Sequence, residues 1–242
     1  ESVMKKMKLV MIGNGMAGVR TLEELLKITP DLYDITVFGA EPHPNYNRIL
    51  LSPVLAGEQT IDAIILNPLS WYADNGITLH LATKVTDVNR ARRVVTGVNA
   101  QGETVEAEYD RLLIATGSNP FILPVPGKDL EGVIAYRDIA DTNTMIETAR
   151  THQHAVVIGG GLLGLEAANG LMLRGMQVTV VHISDWLMER QLDSVAGKLL
   201  QKSLQDRGLK CEMGAQTAAL IGDQDGGKGG RVLAVQFKDG RE

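Results

Sequence analysis

The sequence predicts an α/β protein of two units, each with a three-layer βα architecture, carrying small antiparallel β insertions. Three observations predict it. A short apolar run breaks at a glycine cluster and gives way to helical periodicity near the N-terminus, and the same succession recurs from residue 155. Each succession is followed by another short apolar run, which closes a strand–helix–strand unit. The chain has 242 residues, 44% of them hydrophobic, which exceeds the roughly 100–200 residues of one domain and can fill two cores.

The first unit opens with Lys8-Leu9-Val10-Met11-Ile12, an apolar run that stops at Gly13. Residues 17–27 then carry apolar side chains at helical spacing until Pro30, and Ile35-Thr36-Val37-Phe38 supplies the next strand. Residues 39–57, with three prolines, are expected to form a long loop and then a short helix, a loop length that is usually functional. Residues 77–81, 83–88, 93–96 and 104–107 are expected as small strands, and 109–115 as a buried strand running into Thr116-Gly117-Ser118-Asn119-Pro120. The proline-rich stretch 121–127 is a natural linker.

The second unit repeats the grammar. Thr142 or Asn143 is expected to cap a short helix ending at Arg150; Ala155-Val156-Val157-Ile158 is a strand, and Gly159-Gly160-Gly161 opens a helix lasting to Leu173. Residues 177–181 pair with that strand. An amphipathic helix over 194–207 stops at Gly208 and precedes a strand over 209–213. Residues 231–237 are expected to begin a hairpin, with the glycine-rich stretch 222–230 a mobile turn.

Composition excludes several roles. The net charge of −5 and the scattered Lys and Arg residues give no footprint for nucleic acid. No apolar run approaches the roughly 20 residues that span a bilayer, so no membrane role is expected, and residues 1–6 lack the apolar stretch of a signal peptide. The cytoplasm is the expected location. One cysteine, Cys211, permits no internal disulfide and cannot by itself supply the roughly four ligands of a zinc or iron–sulfur site. No metal site is expected in this chain.

The chemical signal is a duplicated motif. Gly13-Asn14-Gly15-Met16-Ala17-Gly18 and Gly159-Gly160-Gly161-Leu162-Leu163-Gly164 each follow a predicted strand and open a predicted helix. The first glycine permits a tight turn, the second lets the backbone approach a pyrophosphate, and the third lets helix and strand pack closely. Phosphates would then meet unpaired N–H groups and the positive end of the helix dipole. One such motif could be a plain glycine-rich turn, but two copies in βαβ frames argue for two Rossmann-like dinucleotide-binding domains, at residues 1–122 and 123–242.

Both fingerprints, together with Ala115-Thr116-Gly117-Ser118-Asn119-Pro120, resemble the FAD-dependent pyridine nucleotide oxidoreductases, and the resemblance covers nearly the whole chain. The more specific strings 38–52, FGAEPHPNYNRILLS, and 186–193, WLMERQLD, resemble the N-terminal region of the large subunit of assimilatory NAD(P)H-dependent nitrite reductases. That resemblance implies a flavoprotein of nitrate assimilation. Residues 1–122 would hold FAD and residues 123–242 NAD(P)H. A hydride would pass from nicotinamide to flavin, and electrons onward to iron–sulfur and sirohaem centres that reduce nitrite to ammonia in parts of the protein outside this chain. The implied partners are the nicotinamide nucleotide, those downstream domains and a small nitrite reductase subunit. Such relatives carry a third FAD motif and a last strand of the flavin domain after the nicotinamide domain, so the chain is expected to be a truncated input fragment.

The site residues carry over unevenly. Gly13, Gly15, Gly18, Ala115, Thr116 and Gly117 match FAD-binding positions, and Gly159, Gly161 and Gly164 match nicotinamide-nucleotide positions. Glu166 matches a catalytic position near the flavin and nicotinamide rings, against a reading as a first-turn glutamate favoured by the helix dipole. The carboxylate that grips ribose at the end of the second strand is replaced by Gly39 in the first unit, leaving Glu41 as the nearest candidate or a solvated loop residue. In the second unit it is replaced by His182, which removes the usual vote for NADH, could tolerate a 2′-phosphate, or is a satisfied strand-end histidine. Arg48 and Ser52 match a flavin-side loop, with a surface arginine the competing reading. Val85 matches a position whose backbone holds adenine, although core packing explains a valine equally well.

Leu51-Ser52-Pro53 has no cysteine where related thiol enzymes keep one, so thiol chemistry at the flavin is excluded, and Cys211 is expected to be a small buried hydrophobe. Two other readings stay open: a stand-alone reductase for a small ferredoxin or rubredoxin, and a nucleotide-binding fragment without turnover.

Overall fold

The computed structural model describes residues 4–242. The chain divides into two compact units: residues up to Asn47 with Asp62–Asn119, and Arg48–Ile61 with Pro120–Glu242. The sequence-based division at 122/123 puts Arg48–Ile61 in the first domain, whereas in the structure this segment clusters with the second unit.

In the first unit, β1 (Met7–Ile12) pairs in parallel with β2 (Tyr33–Phe38) and with β7 (Arg111–Ile114), and β2 pairs with β3 (Thr78–His80), giving the order β3-β2-β1-β7. The sequence of β1 explains its central place. Leu9, Val10, Met11 and Ile12 are all buried, as a parallel strand covered on both faces requires. Because side chains alternate, Leu9 and Met11 pack with Val19 and Leu22 of α1 (Met16–Ile28), while Val10 and Ile12 pack with Val95 and the half-buried Val85 and Val105 on the opposite face. Those last residues belong to an antiparallel sheet of β4 (Lys84–Asn89), β5 (Val94–Val98) and β6 (Thr104–Glu108). Helix, parallel sheet and antiparallel sheet are therefore the three layers. A slip of one residue in β1 would exchange the two sets of partners.

The second unit has the parallel order β10-β9-β8, formed by β8 (His154–Ile158), β9 (Gln177–Val181) and β10 (Lys210–Glu212). Val178 and Val180 of β9 enter a core with Leu165, Ala168 and Leu171 of α5 (Leu162–Leu173), Met145 of α4 (Ile139–Thr151) and Leu55 of the short α2 (Leu51–Leu55). Helix α6 (Ser194–Asp206) adds Leu200 and Leu204 to that core from its apolar side. Val181 packs instead with Ala215 and Phe237, beside the antiparallel pair β11 (Thr217–Gln224) and β12 (Gly229–Phe237). An α/β fold with parallel sheets and antiparallel insertions is what the sequence predicts.

Four local expectations are corrected. The cap of α4 is Asp138, whose carboxylate accepts from Asp141 N at 2.8 Å while the Asp141 side chain accepts from Asp138 N at 3.2 Å. Thr142 is already inside the helix and turns its hydroxyl to the Asp138 carbonyl. Residues 231–237 are the second strand of a hairpin, not its start, and the stretch 222–230 is largely strand ends joined by a 3-10 turn over Asp225–Gly227. The strand expected over 109–115 is shorter and lies at a sheet edge, leaving Ile114 65% exposed. Helix α3 (Leu69–Asp74) and strand β11 have no counterpart in the sequence reading.

The capping assignment is open to a direct test. Asp138→Ala is expected to lower unfolding stability by about 1 kcal/mol in urea denaturation, whereas Asn143→Ala, at an exposed helical position, is expected to stay within about 0.5 kcal/mol of the parent. Equal losses would return the cap to the residue expected from sequence.

Candidate nucleotide-binding sites

Each fingerprint forms a turn whose first glycine no other residue fits without strain. Gly13 and Gly159 stand at φ 103° and 119°, where a Cβ is strained. A Cβ on Gly13 would also run into the Ala115 carbonyl, and one on Gly164 into the Gly159 carbonyl. Gly18 lies against Met11 and Ala115, so helix α1 sits directly on the sheet there. Gly15 and Gly161 behave differently. They are the N-caps of α1 and α5, with ordinary extended backbone and no side-chain cap, and a Cβ on either would meet no atom within 4 Å. Neither helix carries an acidic residue in its first turn. Both ends thus present backbone N–H groups and the positive dipole toward open space, as an anionic diphosphate requires.

The first turn is braced from its own unit. The Ala115 N–H donates to the Ile12 carbonyl at 2.8 Å, which brings Ala115 and the Thr116 backbone beside Gly13, with Gly117 next in the chain at φ 73°. Tyr72, fully buried on α3, donates to Asn14 Oδ1 at 2.7 Å and accepts from Asn45 N at 3.1 Å. Burial raises the Tyr72 phenol above its ordinary pKa against the lowering effect of those two bonds. Glu41 accepts from the hydroxyl of buried Tyr46 at 2.7 Å and is half-buried, not a solvated loop residue. Gly39 abuts Asn14 of the fingerprint. Val85 packs into the core with Val10 and Phe38, and the ladder is irregular just after it, between Val85 and Asp87.

In the second unit, α2 and α5 bring the expected residues together. Glu166 and Gly170 of α5 and its C-cap residue Arg174 fall four apart and so lie on one face. Arg174 donates to the Leu55 and Val54 carbonyls at 2.8 and 3.2 Å, and Gly170 has no Cβ to obstruct Leu55. This docks α2 so that Ser52 Oγ donates to Glu166 Oε2 at 2.7 Å and lies 3.0 Å from the Tyr136 hydroxyl. Glu166 is in the second turn of α5, whose first turn has no acid, so the dipole-favoured first-turn reading does not apply. Arg48 donates to the Arg137 carbonyl at 3.3 Å and is half-buried, not a purely surface arginine.

His182 is 6% exposed and uses both ring nitrogens. Gly160 N–H donates to Nδ1 at 2.9 Å, and Nε2 lies 2.6 Å from Glu189 Oε2. It is therefore a satisfied strand-end histidine. Burial opposes ionisation of Glu189, but its own backbone N–H, His182 and Arg190 outweigh that and hold its carboxyl below the ordinary range. Cys211 is partly buried in the core of the second unit, and burial pushes its thiol up, the opposite of a reactive thiolate. Among the described residues no group of three or more His, Cys, Asp and Glu could hold a metal, and no helix is long and apolar enough to cross a membrane.

Sequence reasoning missed Tyr72, Tyr136 and Glu189. Glu189 lies within a distinctive sequence string, but the two tyrosines reach their partners across 58 and 84 residues and carry no local signal.

Burial raises the Tyr136 phenol, the Ser52 bond lowers it, and the Glu166 charge raises it further. The folded chain therefore keeps this proton at a pH where the unfolded chain loses it. Tyr136 contributes its full stability below about pH 10 and loses it as pH rises through the folded value. Glu166→Gln is expected to lower the Tyr136 midpoint and Ser52→Ala to raise it, read as phenolate absorbance against a Tyr136→Phe control. Two shifts of the same sign would contradict the network.

The family model for pyridine nucleotide-disulphide oxidoreductases matches residues 7–242. The chain is 49% identical over 237 residues to a nitrite reductase [NAD(P)H] of Bacillus subtilis, covering 98% of this chain and 28% of that protein. It is 45% identical over 237 residues to an assimilatory nitrate reductase electron transfer subunit of the same organism, covering 98% and 29%. The chain thus spans less than a third of the length of these curated relatives. Among solved structures, the water-forming NADH oxidase of Lactobacillus brevis superposes with a TM-score of 0.85 at 20% identity, covering 97% of this chain and 51% of that one; it shares the fold.

Proposed function

The chain belongs to the pyridine nucleotide-disulphide oxidoreductase family, and from that premise we propose that it is the electron-input module of an assimilatory nitrite reductase, taking electrons from NAD(P)H through FAD. The observation that carries the cofactor part is the pair of uncapped helix ends at Gly15 and Gly161, open where a Cβ would project. The nitrite part rests on the 49% identity to the Bacillus subtilis nitrite reductase. Iron–sulfur and sirohaem centres that turn nitrite into ammonia, and a small reductase subunit, belong to the assembly around this module. A cytoplasmic setting follows from the same reading, since the nicotinamide donor is supplied there.

The chain's own residues define the division of labour. Gly13, Gly15 and Gly18, with Ala115, Thr116 and Gly117, cradle the FAD side, Glu41 takes its ribose, and the backbone at Val85 borders the adenine. Gly159, Gly161 and Gly164 cradle the nicotinamide nucleotide. Arg48 offers positive charge on the flavin side, and Ser52 with Tyr136 holds Glu166 in one orientation. When bound, the two cofactors supply hydride transfer followed by release of single electrons, while the protein supplies alignment and charge. With no cysteine in Leu51-Ser52-Pro53, the loop where thiol enzymes keep one, and Cys211 the only cysteine in the chain, the electrons leave without a disulfide step.

A second reading, that the acceptor is a nitrate-reducing partner, is favoured by the 45% identity to the nitrate reductase electron transfer subunit.

Reconstitution separates the two sites. With FAD added, the chain is expected to develop a flavin spectrum that bleaches anaerobically on addition of a reduced nicotinamide nucleotide. Gly15→Val is expected to lose flavin, and Gly161→Val to keep flavin but weaken the nucleotide on the order of tenfold or more, both still folding without cofactor with a stability loss of no more than about 1 kcal/mol, because the new side chains meet open space and only the glycine cap is lost. Flavin retained by Gly15→Val, or no flavin in the parent, would overturn the assignment.

A further inference from the structure

The second fingerprint is gripped by the segment that follows β9. Gly160 donates its N–H to His182 Nδ1 at 2.9 Å and accepts from the Met188 N–H at 3.0 Å. There is no slack in this grip, since a Cβ on Gly160 would come within 2.7 Å of Leu187 Cδ2 and 2.8 Å of His182 Cγ. An imidazole nitrogen that accepts a backbone N–H must carry a lone pair, so the His182 proton resides on Nε2. That N–H donates to Glu189 Oε2 at 2.6 Å. His182 is buried, whereas a third of the Glu189 side chain is exposed.

Met188, immediately before Glu189, stands at φ 54° without being glycine. A residue with a Cβ keeps that conformation only where its surroundings impose it. Here the Gly160 carbonyl, the His182–Glu189 bond and buried Leu187 impose it together. Backbone strain, a buried two-handed histidine and a tethered but accessible carboxylate converge on one point beside the turn.

We propose that Glu189 is the carboxylate that receives the adenosine ribose hydroxyls of the nicotinamide nucleotide, replacing the strand-end acid that His182 displaces, and that it selects NADH over NADPH. This rests on the reading that the second unit binds NAD(P)H. A carboxylate accepts from a vicinal diol, whereas a 2′-phosphate would bring about two further negative charges against it. His182 is a positioning residue: it ties one Glu189 oxygen to the fingerprint through Gly160. Arg190, exposed next to Glu189, is the rival determinant, because a guanidinium there would favour the 2′-phosphate.

Calorimetric titration of the purified chain with NAD+ and NADP+ reads binding without turnover. The parent is expected to bind NAD+ roughly tenfold or more tightly than NADP+. Glu189→Gln should weaken NAD+ and bring the ratio to within about threefold, with unchanged melting. His182→Ala should weaken NAD+ while still excluding NADP+, since the Glu189 charge remains. A ratio unchanged in Glu189→Gln, or a parent preferring NADP+ through a preference that Arg190→Gln removes, would overturn the inference alone. A parent that binds neither nucleotide would overturn the reading of the second unit, and the inference with it.

Discussion

A helix that begins on an uncapped glycine leaves its first N–H groups without partners, and the rest of this structure is arranged around two such ends. The cost in helix stability is small, because a capping side chain at Gly15 or Gly161 would add only about a few tenths of a kcal/mol over glycine. Keeping the ends open demands neighbours that hold the turn without filling it. In the first unit that support comes from Ala115 against Gly13 and Gly18, and from Tyr72 on Asn14. In the second it comes from His182 and Met188 on the two polar groups of Gly160. The same turn is solved twice with unrelated side chains, and in both units the added bonds fall on the residue between the first two glycines.

The second dependence is a helix face. Helix α2 has only five residues and cannot persist by its own propensity. It is held because Arg174 satisfies two carbonyls at its C-terminal end and Gly170 admits Leu55. Glu166 completes that face one turn earlier, so the contacts that dock α2 also deliver Ser52 to Glu166. The orientation of the candidate carboxylate is a by-product of packing two and three residues from Ser52 and four and eight residues from Glu166, and changes at Gly170 or Arg174 act on it indirectly.

What was legible in the sequence was local. The glycine turns are dictated by positive φ and by backbone approach, which only residue identity can announce, and β1 and β8 by continuous apolar runs. The misses follow from long-range terms. Asp138 wins the cap of α4 because Asp141 reciprocates, a cooperative choice that the polar run Thr142-Asn143 masks. Strand β11 alternates weakly and is defined by its pairing with β12. Residues 109–115 look like a buried strand, but position in the sheet, which apolar content does not encode, puts Ile114 at an edge. Tyr136 and Tyr72 act through hydroxyl bonds to residues distant in sequence, and nothing in their own neighbourhoods marks them.

The two units share a feature where the strand-end acid is missing. At Gly39 and at His182 the expected carboxylate is absent, yet in each unit a glutamate from the following loop contacts a buried side chain: Glu41 accepts from the Tyr46 hydroxyl at 2.7 Å, and Glu189 Oε2 lies 2.6 Å from His182 Nε2. A carboxylate carried on a strand end is fixed by the sheet, while one carried on a loop must be fixed by a partner that does not compete for its function. At Glu189 the His182 N–H meets that requirement, because it orients one oxygen and leaves the negative charge in place, whereas a lysine or arginine would cancel it. On the proposed reading, the departure from the fingerprint at His182 is a relocation of the acid, identified by the neutral donor that accompanies it.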